Sequence, residues 1–181
     1  MPPRLVILDR DGVINVESDA FVKSADEWKP LEGSLQAIRL LTDSGFTVAV
    51  ASNQSGLGRG LFDFAALDAM HSKMHRLVEA AGGKIDRVVI CPHHPDDDCD
   101  CRKPKAGLLL QLADHYGISL AGVPVIGDSA RDIEAAIAVG ARPVLVLSGN
   151  GRKALKQLQE GACEVAPDLL AAARLLVEDK G

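Results

Sequence analysis

The chain has 181 residues, 47% of them hydrophobic and only 3% aromatic, with a formal net charge of -5. That length and apolar content give one domain with a substantial core and exclude a disordered chain. Scarce aromatics and a net negative charge exclude a stacking platform for single strands and a general phosphate-backbone binder, so no nucleic-acid partner is expected.

The opening "MPPRLVILDR" shows no apolar segment ahead of a small-residue cleavage site. No stretch approaches the ~20 apolar residues of a bilayer span. A cytoplasmic, monomeric protein without a membrane partner is expected. Its four cysteines are then thiols or metal ligands rather than disulfides. In chain order, a strand at 5–8 is followed by a helix at 33–43, a strand at 47–51 and a helix at 64–81. A strand at 87–90, a helix at 107–116, a strand at 123–126 and a helix at 132–139 come next. A strand at 143–147 and helices at 152–160 and 167–177 complete the chain. Uniformly apolar strands alternating with helices describe a parallel sheet covered on both faces. There is no repeat, low-complexity tract or linker, so residues 1–181 read as a single doubly wound α/β domain.

Ligands in such folds bind beyond the carboxyl ends of the strands. Asp9, Arg10 and Asp11 follow the first strand, Ser52, Asn53 and Gln54 the second, Cys91 the third, and Gly127, Asp128 and Ser129 the fourth. If the first strand stays extended, alternation makes Asp9 and Asp11 converge while Arg10 turns aside. Two ionised acids there are costly without a partner. With Asp128 they form an oxygen-donor set for a hard cation such as Mg²⁺, which also takes phosphate oxygens. A carboxylate facing a phosphoryl group is a nucleophile that forms an acyl phosphate, and a second carboxylate can donate and accept the proton. An Asp-Gly dipeptide alone reads as a turn; the second strand-end aspartate and a basic residue select the site.

"DRDGVIN" at 9–15, "ASNQSG" at 51–56, "RKP" at 102–104 and "GDSARD" at 127–132 resemble the four ordered motifs of the haloacid-dehalogenase-type phosphatases, over nearly the whole chain. The resemblance implies that Asp9 is the nucleophile and a Mg²⁺ ligand, and that Asp11 is the general acid/base with its backbone carbonyl on the metal. It implies Ser52 and Lys103 as holders of the phosphoryl oxygens, Asp128 as the remaining Mg²⁺ ligand, and Asp132 as a support behind the metal. A fixed cation such as Lys103 also suits phosphoryl transfer on physical grounds.

"CPHHPDDDCDC" places Cys91, His93, Cys99 and Cys101 as two close pairs. Thiolate and imidazole ligands in a closed set of four fit a structural, tetrahedral Zn²⁺. His93 is preferred for its spacing and because the family uses that position; His94 competes. The loop leads directly into "RKP", so fixing it would aim Arg102 and Lys103 at the phosphate.

Within the family, this loop with "DRDGVIN" resembles two groups, one acting on heptose 1,7-bisphosphate and one on histidinol phosphate. "NQSGLGRG" at 53–60 and the closing "VIN" are similar to the first, which implies removal of a sugar bisphosphate's C7 phosphate in bacterial heptose synthesis. A second dianion needs a cation, and Arg59 and Arg102 are candidates. Only seventeen residues separate Asn15 from Gly33, so no separate cap domain is expected. The resemblance assigns sugar contacts to Glu17, Ser18, Asp19 and Ala20, to Asn53, Gln54 and Ser55, and to Arg102 and Ser129. The competing class is a receiver-like module phosphorylated on aspartate; Asp11 would hasten loss of its phosphate, and the zinc loop has no role there. His71 and His75 read as helix surface, Met70 and Met74 as core, Cys163 as a buried thiol, and Trp28 as either core edge or substrate loop.

Overall fold

The computed structural model describes residues 1–179. Its six parallel strands are β1 (Arg4–Leu8), β2 (Phe46–Asn53), β3 (Arg87–Cys91), β4 (Pro124–Gly127), β5 (Arg142–Val146) and β6 (Glu164–Ala166), in the order β3-β2-β1-β4-β5-β6. The helices are α1 (Ser34–Asp43), α2 (Ser55–Gly58), α3 (Phe64–Ala80), α4 (Gly107–Tyr116), α5 (Ala130–Ala138), α6 (Gly151–Leu155) and α7 (Leu169–Glu178). Strand alternation divides the apolar residues between two faces. Val6 and Leu8 of β1 join Ile38, Met70, Met74 and Leu176 in one cluster, under α1, α3 and α7. Leu5 and Ile7 join Leu108, Leu112 and Ala136 in the other, under α4 and α5. Both faces of the sheet are thus covered, as expected for uniformly apolar strands. Among the described residues no helix is long and apolar enough to cross a membrane.

Two elements depart from expectation in existence. β6 has three residues with only Ala166 buried, too few for a periodic signal. The four-residue α2 follows Gln54 directly. Others differ in extent, among them β2, which runs to Asn53 rather than 51 and so includes Ser52 and Asn53. Helix α5 begins at Ala130 rather than 132, because Ser129 and Asp132 form a reciprocal capping box that makes Asp132 its third residue. Helix α6 stops at Leu155, with Ala154 its only buried apolar side chain. Trp28 is fully buried in the first cluster, which settles it as core. Cys163 is only half-buried against a small third cluster, a correction to its reading as a buried thiol.

Candidate active site

Strand order reverses between β1 and β4, the place where a doubly wound sheet opens a crevice. Asp9 reaches it from β1 and Asp128 from β4, and carboxylate oxygens of Asp9, Asp128 and Asp132 lie within 4.8 Å of one another. Lys103 Nζ sits among them, donating to Asp9 Oδ1 at 3.0 Å, Asp132 Oδ1 at 2.6 Å and the Ala51 carbonyl at 2.8 Å. Burial works against the lysine charge, but the carboxylates of Asp132 and Asp9 outweigh it and hold its pKa above the ordinary value. Lys103 is aimed from its backbone: Asn53 Nδ2 donates to its carbonyl, and its N–H donates to Asn53 Oδ1.

Asp132 is fully engaged. Its Oδ2 accepts from the Asp128 and Ser129 amides at 3.1 Å each and from the Ser129 hydroxyl at 2.8 Å. Asp9 spends one oxygen on Lys103, and Asp128 spends one on the Asn150 amide at 2.9 Å. Gly12 and Gly149 both have positive φ, and a Cβ on either would collide with Asp128 Oδ2. One lysine does not balance three buried acids. Burial first, then Asp132, raises the Asp9 carboxyl well above its usual range and pushes Asp128 up to about 8. An all-oxygen set with surplus negative charge is the donor chemistry that suits Mg²⁺.

Asp11 lines the same cavity as Asp9 but stands outside the tight cluster of Asp9, Asp128 and Asp132, and Arg10 does not turn aside. β1 ends at Leu8, and the amides of Val13, Ile14 and Asn15 all donate to the Arg10 carbonyl, so the chain curls and alternation no longer applies. Arg10 is 1% exposed, and its Nη2 donates to Asp11 Oδ1 at 2.9 Å. Asn15 and Gln54 also donate to Asp11, at 2.8 and 2.9 Å. Burial raises the Asp11 pKa, but Arg10 and these amides outweigh it and hold it below the usual value. His71, read as helix surface, is part of this network: its Nε2 lies 3.3 Å from Arg10 Nη1. Burial and the adjacent Arg10 lower its pKa to about 4, so the ring is neutral.

The cavity measures 290 Å³, and its walls include Glu17, Ser18, Asp19, Asn53, Gln54, Ser55 and Ser129. Ala20 does not line it; its carbonyl accepts from Lys23 at the exposed end of the 16–32 loop. Ser52 lies just behind the wall, 1% exposed, its hydroxyl accepting from Gln54 Nε2 at 2.8 Å. Lys73 of α3 anchors the 16–32 loop by donating to the Ala25 and Trp28 carbonyls at 2.7 Å each. Arg59, Arg102 and Arg131 face the same cavity. The Arg59 guanidinium lies 5.6 Å from the Phe21 ring, and Phe21 has a left-handed φ of 64°. Arg102 Nη1 is buried without a partner. Burial, Arg131 and Arg59 all lower the Arg102 pKa, the signature of cations crowded at one place. Arg131, Phe21 and Asn150 were missed. Asn150 stands in the loop after β5, beyond a strand's carboxyl end, and its Nδ2 donates to Glu17.

Beside this cavity, Cys91, His93, Cys99 and Cys101 form a compact four-atom cluster. Sulfur pairs lie 3.1 Å (Cys91–Cys101) and 3.6 Å (Cys91–Cys99) apart, and His93 Nδ1 lies 3.2 Å from Cys101 Sγ. A tetrahedral zinc thiolate site has edges of about 3.7 Å, from bonds of ~2.3 Å. His94 is elsewhere, its Nδ1 accepting from the Asp96 amide as cap of a short 3₁₀ turn, Pro95–Asp97. Burial and the neighbouring thiols push Cys101 up to about 12, so the sulfurs need a cation to be ionised together.

A family model described as HAD-hydrolase-like matches residues 100–172. The chain is 55% identical to the D-glycero-beta-D-manno-heptose-1,7-bisphosphate 7-phosphatase of Bordetella bronchiseptica, across 97% of this chain and 99% of that one. It is 51% identical to the protein of that name from Pseudomonas putida, across 96% and 99%. The crystal structure of the B. bronchiseptica D,D-heptose 1,7-bisphosphate phosphatase complexed with magnesium and phosphate matches with a TM-score of 0.94, over 97% of this chain and 98% of that chain. These likenesses, spanning both chains almost end to end, make the present chain a member of the D-glycero-β-D-manno-heptose-1,7-bisphosphate 7-phosphatase family of HAD-like hydrolases.

Proposed function

We propose that the chain hydrolyses the C7 phosphate of D-glycero-β-D-manno-heptose 1,7-bisphosphate, leaving heptose 1-phosphate. The observation that carries this is one cavity with two poles. Asp9, Asp128 and Lys103 form one, and Arg59, Arg102 and Arg131 the other. A bisphosphate presents a reacting dianion to the first and a second dianion to the guanidinium groups. The names of relatives 51–55% identical support the heptose and its β anomer.

In this reading Asp9 attacks the C7 phosphorus as the bond to the C7 oxygen breaks, and Asp11, whose protonated form the bound phosphate dianion beside it favours, gives that oxygen its proton. Asp11 then takes a proton from the water that attacks the acyl phosphate, and inorganic phosphate leaves. Lys103 and Ser52 hold the phosphoryl oxygens, Gln54 orients Ser52, and Asp132 fixes Lys103. Asp9, Asp128 and the Asp11 main-chain carbonyl would hold Mg²⁺. When bound, Mg²⁺ offsets the clustered negative charge and takes a phosphate oxygen. Glu17, Ser18, Asp19, Asn53, Gln54, Ser55, Arg59, Arg102 and Ser129 form the substrate wall. Cys91, His93, Cys99 and Cys101 would hold a structural Zn²⁺ that stiffens the approach to Arg102 and Lys103. The chain is read as a monomer with one functional unit over residues 1–181. Free thiols support a reducing, cytoplasmic setting.

Phosphate release tests the substrate. With Mg²⁺, kcat/KM on heptose bisphosphate is expected to exceed that on histidinol phosphate by about 100-fold, because the latter leaves the guanidinium pole unpaired. Turnover confined to histidinol phosphate would overturn the choice, and a stable phosphoaspartate without turnover would favour the receiver module.

The acidic cluster predicts a pH dependence. Asp128 titrates near 3.8 unfolded and at about 8 folded, so between these values the folded chain binds the extra proton. Stability of the Mg²⁺-free protein therefore falls as pH rises through that window. Melting temperature without Mg²⁺ is expected to be lower at about pH 9 than at about pH 6.5, and added Mg²⁺ to raise it more at the higher pH. A Mg²⁺ effect that shrinks with rising pH would contradict this.

Cys99→Ser is expected to remove bound zinc and lower the melting temperature by about 10 °C, while turnover falls only about tenfold. Metal analysis alongside a thermal melt checks it; unchanged zinc content would refute the ligand set.

A further inference from the structure

Arg10 is among the largest side chains that the structure buries completely. Nothing in the proposed reaction needs a buried guanidinium there, since the phosphoryl group already has Lys103. Each of its three nitrogens has a partner. Nε and Nη2 reach Asp11 Oδ1 at 3.3 and 2.9 Å, Nη2 reaches Asp11 Oδ2 at 3.1 Å and Gln54 Oε1 at 3.3 Å, and Nη1 reaches His71 Nε2 at 3.3 Å. Asp11 is held from two sides, because Asn15 donates to its Oδ1 and Gln54 to its Oδ2. His71 stands on α3, whose Lys73 anchors the 16–32 loop, so the far end of Arg10 rests on an element fixed independently of the motif.

We propose that Arg10, anchored by His71, is a positioning residue that acts through Asp11, fixing the carboxyl where it can deliver its proton to the leaving oxygen. This rests on the reaction proposed above, in which the Asp9–phosphorus bond forms as the phosphorus–oxygen bond breaks and the Asp11 proton goes to the departing alkoxide. Two features separate positioning from packing. The contact is made by hydrogen bonds to both carboxyl oxygens rather than by the apolar stem. Its remote support, His71, touches neither the three-acid cluster nor the arginine pole.

The leaving group provides the test. A sugar alkoxide needs the proton, whereas p-nitrophenolate departs without it. For Arg10→Met, kcat/KM on heptose bisphosphate and on fructose 1,6-bisphosphate is expected to fall about 30-fold, and on p-nitrophenyl phosphate less than about threefold. His71→Leu is expected to show the same split at about fivefold, and it serves alone if Arg10→Met does not fold. In an Asp11→Asn background, adding Arg10→Met should cost nothing further, since both act through one group. Equal losses on alkyl and aryl esters, undiminished alkyl turnover, or additive losses in the double variant would each overturn the proposal. Failure of the substrate reading looks different. The wild type would then not prefer heptose bisphosphate, while the alkyl–aryl split stays readable on fructose 1,6-bisphosphate.

Discussion

Asp9→Asn is expected to lower phosphate release by on the order of 10⁴-fold or more, the scale of losing a covalent nucleophile. The side chain keeps its shape but loses the anion that attacks phosphorus in the proposed reaction. Folding should not suffer. Asp9 is largely buried near Asp132, Asp128 and Asp11, and its carboxyl is already raised by desolvation and by those neighbours. Removing it relieves repulsion, while Lys103 keeps its 2.6 Å contact with Asp132. The melting temperature without Mg²⁺ is therefore expected to hold or rise. Turnover within about tenfold of wild type would rule out Asp9 as the phosphoryl acceptor.

Lys103→Met is expected to damage both activity and stability. The ammonium contacts two carboxylates that are 14% and 2% exposed, and it is itself 5% exposed. Methionine fills similar space but leaves both acids unpaired, which costs about 3–5 kcal/mol for a broken buried pair. Loss of a fixed cation facing the phosphoryl oxygens adds about 10³-fold in kcat/KM. The stability loss should ease as pH falls, because a proton on Asp9, whose carboxyl is already raised, replaces the missing cation. Steady-state kinetics and melts at about pH 6 and pH 9 check both parts. A variant equally stable at both pH values with near-wild-type kcat/KM would show that Lys103 is peripheral.

The residues that local pattern could reach were those at strand ends. A run such as "LVIL" closed by polar residues marks where a buried strand emerges, whatever lies beside it. Asp9, Ser52 and Asp128 stand out on that ground alone. The cysteine loop is also local, since four ligands within eleven residues need no distant partner to be noticed. Where local reasoning failed, it did so by extending a rule past its element. Alternation set Arg10 aside from Asp11, but β1 stops at Leu8 and the chain curls around the Arg10 carbonyl. Ala20, which the resemblance assigned along with Glu17, Ser18 and Asp19, is not among the residues that line the cavity.

The sequence by itself determined the doubly wound class, the order of elements apart from α2 and β6, and which chemical groups stand at the strand ends and in the thiol loop. These follow from periodicity and spacing over a few residues, where backbone geometry leaves few alternatives. Tertiary structure alone decided the partners. It set His71 against Arg10 across 61 positions, Asn53 against Lys103 across 50, and Glu17 against Asn150 across 133. It also gathered Arg59, Arg102 and Arg131 from three separate segments into one pole. Such pairings depend on which elements the strand order brings side by side, and on burial that makes an unpaired charge costly; neither is written in any short stretch of chain.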